Sequence, residues 1–169
     1  EGRKLSPEEY EYYQLETKRF TEDLDWMPRV VMIAKNAYVW LFQLSQKYGR
    51  EIKTLDQIPD EELDRLARWN FTALWLIGIW ERSSASRKIK QIMGNPEAAS
   101  SAYSLYNYEI ANELGGESAF ENLKVRAWQR GIRLSSDMVP NHTGIYSKWV
   151  VDKPDYFIQS RIPPYPNYK

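Results

Sequence analysis

Apolar and polar residues alternate along this chain in two ways: in stretches with helical spacing, and in short runs that are apolar almost throughout. Ser6-Pro7-Glu8-Glu9 has the form of a helix start, with Ser6 as N-cap, Pro7 in the first turn and Glu9 able to close a capping box. The pattern predicts a helix from Pro7 to about Asp23 and a second short helical segment from Pro28 through Ala34. Ala37 to Phe42 is aromatic, β-branched and uncharged, which predicts a first strand buried on both faces. From Ile58 to Trp69, Leu63, Leu66 and Ala67 share one stripe, and the acids Asp60, Glu61 and Glu62 stand in the first turn, where they complement the helix dipole. Asn70 can close that helix in a left-handed conformation.

Phe71 to Trp80 is too continuously apolar for a half-exposed strand and predicts a central parallel one. A long segment from Glu81 to Gly115 follows, with a short basic helix expected from Ser84 to Met93 and then a tyrosine cluster; loops of this length are usually functional. Glu117 to Gln129 reads as a helix with Phe120, Leu123 and Ala127 inward and Gly131 as its stop. Ile132 to Val139 is the third expected strand, ended by Pro140. Asn141 to Lys169 shows no clear period and reads as irregular structure or the start of an inserted subdomain. This alternation implies a parallel sheet with right-handed crossovers and functional residues at the carboxyl ends of its strands. No G-x-G-x-x-G follows a strand and no P-loop sequence exists, so a dinucleotide or nucleotide fold is not signalled and a barrel gains.

Composition narrows the chemistry. The 169 residues are one domain's worth, and 23 basic against 23 acidic side chains leave no net field to hold nucleic acid or an anionic membrane surface. The chain has no cysteine and one histidine, His142, which removes thiolate and multi-imidazole metal sites and leaves only oxygen-ligand metals. The longest apolar run, Trp69 to Trp80, falls short of the ~20 residues of a membrane helix. An opening on Glu1 without a leader reads as a removed start or an internal piece, which leaves the compartment unreadable. Aromatic residues make up 14% of the chain, suited to the flat faces of sugar-binding clefts or, more blandly, to core packing. The acids Asp60, Glu61, Glu62 and Asp64, like Glu8, Glu9 and Glu11, read as solvated helix faces, and Arg87, Lys88 and Lys90 likewise. The sequons at Asn70 and Asn141 are discounted, since one opens a buried strand and the other would put a glycan on the site floor.

One block carries a resemblance. Ser136-Asp137-Met138-Val139-Pro140-Asn141-His142-Thr143-Gly144 resembles the first conserved motif of glycoside hydrolase family 13, the α-amylase family: Asp, three mostly apolar residues, Asn, His. Phe71 to Leu76 is similar to the family's second barrel strand, Ser101 to Ile110 to its tyrosine-bearing loop, and Trp128 to Leu134 to the approach to strand three. The resemblance spans roughly Tyr38 to Phe157.

It implies an α/β chain holding the first three βα units of an incomplete (β/α)8 TIM barrel. Residues 1–36 would be an N-terminal helical extension, 37–144 the partial barrel, and 145–169 the start of the insertion after strand three. The implied activity is retaining cleavage or transfer at α-glycosidic bonds, with an α-glucan or oligosaccharide as partner beside the remainder of the barrel, and neither nucleic acid nor membrane. His142 would donate to a sugar hydroxyl, Tyr103 would stack on the same ring, Asp137 would organise the strand end, and Asn141 would offer its amide oxygen to a structural Ca2+. No organic cofactor is implied. Tyr103 and His142 are expected to line one pocket, with Asp137 just beneath.

The alternatives beside these roles are a satisfied core histidine for His142, a turn-capping residue for Asn141 and a core aromatic for Tyr103. Ser104 and Asn107 depart from the family pattern, which has acids there, and put the exact substrate in question. The family's catalytic carboxylates follow strands four, five and seven, so the 169-residue chain is expected to be inactive alone. A reading from another class is a non-catalytic glucan-binding or interaction module built on the same strands.

Overall fold

The computed structural model describes residues 27–83 and 101–162; the helices expected at Pro7 to Asp23 and at Ser84 to Met93 lie outside them. Three strands, β1 (Met32–Asn36), β2 (Ala73–Ile77) and β5 (Arg133–Ser136), form a parallel sheet with β2 in the centre. The register aligns Ile33 with Leu74 and Leu74 with Leu134. Partners in register share a face, and this one packs on the helices α1 (Ala37–Tyr48), α2 (Asp60–Arg68) and α3 (Gly116–Trp128) in a core that includes Leu41, Leu44, Leu63, Leu74, Leu76 and Leu123. On the opposite face stand Ala34, Trp75 and Ser135, and Met32 of the same face is 45% exposed. A second, antiparallel pair, β3 (Trp80–Arg82) and β4 (Leu105–Ile110), rises from the connection between β2 and α3.

The sheet's first strand is not where its sequence pointed. Ala37 to Phe42 is helix, and the preceding segment expected to be helical through Ala34 is a single 3-10 turn at Met27–Arg29 followed by β1. The physical cause lies in spacing. Ala37, Trp40, Leu41 and Leu44 are buried while Val39 and Phe42 are 52% and 64% exposed, a stripe at i, i+3, i+4 and i+7 that only a helix can bury. Both ends are chemically set: the Asn36 side chain accepts from Val39 N at 3.2 Å as N-cap, and Gly49 closes the helix at φ +60°. β1 therefore lies at the end of the stretch 1–36 read as a helical extension, of which residues 1–26 lie outside those described.

Elsewhere pattern and structure agree more closely. α2 stops at Trp69 and Asn70 adopts φ +62°. Leu123 and Ala127 of α3 are buried, and its chain leaves through Gly131 at φ +73°. The apolar run from Phe71 to Trp80 is broken by Gly78 at φ +78° into β2 and β3. Arg126 fastens α3 to the turn before α2, donating to Ile58 O at 2.7 Å, Asp56 O at 2.9 Å and Asp60 Oδ1 at 3.1 Å.

One acid read as solvated is buried. Glu62 accepts from Tyr48 Oη at 2.7 Å, from Arg65 at 3.2 Å and from Lys47, tying α2 to the end of α1. Burial pushes its carboxyl up, but the Lys47 and Tyr48 hydrogen bonds and the Lys47 and Arg65 charges outweigh that, and its pKa lies below the ordinary glutamate value. The same contact raises the Tyr48 phenol, since the bond to Glu62 favours the neutral form.

Candidate functional site

The parallel strands all end on one side, and the chain leaving β2 and β5 there builds a rim. Its anchor is Asp137, the first residue after β5. One carboxylate oxygen accepts Trp75 Nε1–H at 2.9 Å and the other accepts the Gly78 amide at 3.1 Å, while its backbone carbonyl accepts Trp80 Nε1–H at 2.7 Å. Three donors, from β2, from the turn at Gly78 and from β3, thus converge on the residue that follows β5, and this fixes where the following segment starts. The tight turn at Gly78 is held by Arg82, which donates to its carbonyl at 2.9 Å and lies over the Tyr38 ring at 4.5 Å. Burial raises the Tyr38 phenol, against the lowering charge of Arg82 and with Glu113 adding to the rise.

From Asp137 the chain runs across β4. Val139 N donates to Tyr108 Oη at 2.8 Å, Gly144 N to Leu105 O at 2.8 Å, Ser147 Oγ to Tyr106 O at 3.0 Å and Trp149 Nε1 to Asn107 Oδ1 at 2.9 Å. Gly144 has to be glycine at this approach: a Cβ there would stand 2.5 Å from Ser83 Cβ and 2.9 Å from Leu105 O. Trp80, Tyr108, Trp149 and Tyr156 form a chain of ring contacts, with centroids 5.3, 5.7 and 6.3 Å apart, that ends on the short helix α4 (Lys148–Asp152) and the turn after it.

His142 and Asn141 ride on this crossing, both exposed, with Asn141 Nδ2 3.4 Å from His142 Nδ1. Tyr103 is 44% exposed in the loop entering β4, its amide donating to Ser101 Oγ at 3.3 Å. Its neighbour Ser104 has its hydroxyl against Gly144, so the loops carrying Tyr103 and His142 meet at that glycine. Asp137 lies within the sheet's end, joined to Trp75 and Gly78 rather than to either ring. A cleft of about 870 Å3 runs elsewhere, along α1, bordered by Tyr38, Leu41, Phe42, Ile52 and Glu113; none of the four sequence-predicted residues lines it.

Asn141 supplies one oxygen where Ca2+ needs six to eight, and among the described residues no group of three or more His, Asp or Glu side chains gathers that could hold a metal ion. These residues do not by themselves make a Ca2+ site. Sequence reasoning also missed the partners that shape the rim, Trp75, Gly78, Trp80, Tyr108 and Trp149. The signals for the aromatic ones were the aromatic excess, which points also to core packing, and, for Trp75 and Tyr108, their places in the expected second strand and the tyrosine-bearing loop.

A parallel α/β sheet with a motif-bearing rim at its strand ends defines the class of protein. The family described as "Alpha amylase, catalytic domain" matches residues 44–165, more than half of the chain. The chain belongs to the α-amylase family, glycoside hydrolase family 13. Its fold is similar to an α-amylase from Lactobacillus plantarum, with a TM-score of 0.59 and 19% identity over 79% of this chain and 28% of that one. A noncanonic maltogenic α-amylase from Thermotoga neapolitana gives 0.58 and 18% over the same shares, and a trehalose-6-phosphate hydrolase from Bacillus licheniformis gives 0.50 and 21% over 73% of this chain and 19% of that one. At these identities the likeness concerns the fold, and the chain spans under a third of the length of each structure. No match was found among curated protein sequences. Among the described residues no helix is long and apolar enough to cross a membrane.

Proposed function

We propose that the chain is the amino-terminal portion of a retaining glycosidase or transglycosylase acting on α-glucans, contributing the first three strands of a (β/α)8 barrel and part of the substrate-binding rim. What supports this reading is the fastening of the Asp137 to Gly144 motif across β4, with Ser104, the neighbour of Tyr103, packed against Gly144 beyond the carboxyl ends of parallel strands. In this reading His142 donates a hydrogen bond to a sugar hydroxyl and Tyr103 offers its ring to the apolar face of the same sugar. Asp137, with both carboxylate oxygens already engaged, keeps the strand end in place. A Ca2+ ion would take the Asn141 amide oxygen together with oxygens from outside the described residues. Among the described residues, the sheet face that carries exposed Met32 and half-buried Trp75, and the outer edges of β1 and β5, are surfaces that the remainder of a barrel would cover.

Retention requires a nucleophile and an acid/base about 5 Å apart. At this rim Asp137 is occupied by Trp75 and Gly78, and Glu109 accepts from Asn107 at 2.7 Å, so the reading draws both reacting carboxylates from outside these residues. The 169 residues alone are then inactive. The test is turnover of α-1,4-linked oligosaccharides by the intact protein, with His142→Ala compared. A lost donor to substrate, ~1–3 kcal/mol, lowers kcat/KM by roughly 5- to 150-fold. An unchanged His142→Ala enzyme overturns the role, and saccharide binding without turnover by the intact protein favours a binding module instead.

A further inference from the structure

Asn141 and His142 belong to a short arch, Pro140 to Thr143, fastened at one end by Val139 and at the other by Gly144. The Gly144 fastening joins backbone to backbone, from Gly144 N to Leu105 O at 2.8 Å, so the identity of the β4 side chain there is immaterial. The Val139 fastening differs, because its acceptor is a single phenol oxygen, Tyr108 Oη at 2.8 Å. Pro140 follows directly and has no N–H, so the Val139 amide is the last backbone donor before the arch departs.

The Tyr108 ring is itself held on two sides. Trp80 meets it edge-on at 5.3 Å and 78°, and Trp149 lies at 5.7 Å and 57°. Trp80 is also the indole that donates to Asp137 O. The residue before the arch and the residue two positions earlier are therefore tied into one aromatic cluster, and Tyr108 stands at its centre with its hydroxyl aimed at the arch.

We propose that Tyr108 is a positioning residue: its hydroxyl sets the departure of the arch from β5 and thereby the place of His142 at the saccharide. This rests on the reading that His142 binds sugar. Tyr108→Phe is the clean perturbation, since it keeps the ring between Trp80 and Trp149 and removes one oxygen. In the intact protein, hydrogen exchange followed by mass spectrometry should show faster exchange across residues 137–144, with the helices α1 to α3 unaffected. On maltooligosaccharides kcat/KM should fall ~3- to 10-fold, the loss of one neutral hydrogen bond. In a His142→Ala background the same substitution should cost almost nothing, because the group it positions is gone.

Unchanged exchange over 137–144, or a Tyr108→Phe loss of equal size with and without His142, overturns the proposal. The two readings fail separately. If His142→Ala is itself silent, the sugar-binding role falls and takes the positioning role with it. If His142→Ala is costly while Tyr108→Phe matches the parent protein in exchange and turnover, positioning by Tyr108 alone falls.

Discussion

Replacing Asp137 is the sharpest test of how the rim is held. Its carboxylate receives two hydrogen bonds, from Trp75 Nε1 of the neighbouring strand β2 at 2.9 Å and from Gly78 N of the turn that follows β2 at 3.1 Å. Hydrogen bonds to a charged acceptor contribute ~1.5–3 kcal/mol each, and because Asp137 is half-buried the lower end applies. Asp137→Ala removes both acceptors and leaves the indole and amide donors to find water, at a cost of ~3 kcal/mol. Asp137→Asn keeps one oxygen and turns an amide N–H2 toward the other donor, so it costs about half as much. With a urea slope of ~2 kcal/mol per molar, the unfolding midpoint should drop by ~1.5 M for Ala and ~0.7 M for Asn, read by tryptophan fluorescence. In a Trp75→Phe background, where one donor is already absent, the Asn substitution should cost distinctly less. Midpoints that do not move, or an alanine better tolerated than asparagine, would refute the claim that this carboxylate ties β2 to β5.

Two further outcomes follow from the helices. The Glu62 carboxyl titrates lower folded than unfolded, so its contribution to stability is fully present above the unfolded value of ~4.3 and is lost as pH falls through the folded one. Glu62→Gln, which leaves Lys47 and Arg65 without their anion, should cost ~1–2 kcal/mol at pH 7, with the gap to the parent protein narrowing below pH ~4; a gap independent of pH counts against the ion cluster. Asn36→Ala removes the cap of α1 and should cost ~1 kcal/mol in unfolding experiments, with Asn36→Ser recovering most of it; equal stability of all three would show that the cap is idle.

What the sequence determined by itself was whatever short-range chemistry encodes. The stripe of Leu63 and Leu66, the left-handed stop at Asn70, the α3 helix ending before Gly131 and the apolar run of β2 each depend on residues a few positions apart. The Asp137 to His142 motif was legible in the same way, and with it the family. The tertiary structure decided the rest. Ala37 to Phe42 satisfies a buried strand and a helix alike in apolar content, and only the presence of a core on one side leaves Val39 and Phe42 in water and makes the segment α1. Glu62 sits on what reads as a polar face, and its burial depends on the end of α1 arriving over it from 14 and 15 residues earlier. The rim is the extreme case. Asp137 meets Trp75 from 62 residues away and Val139 meets Tyr108 from 31, at distances set by the parallel register of β2 with β5 and by the course of β4. A hydrogen bond between residues so far apart leaves no local period to read, because any polar partner at the right point in space would serve.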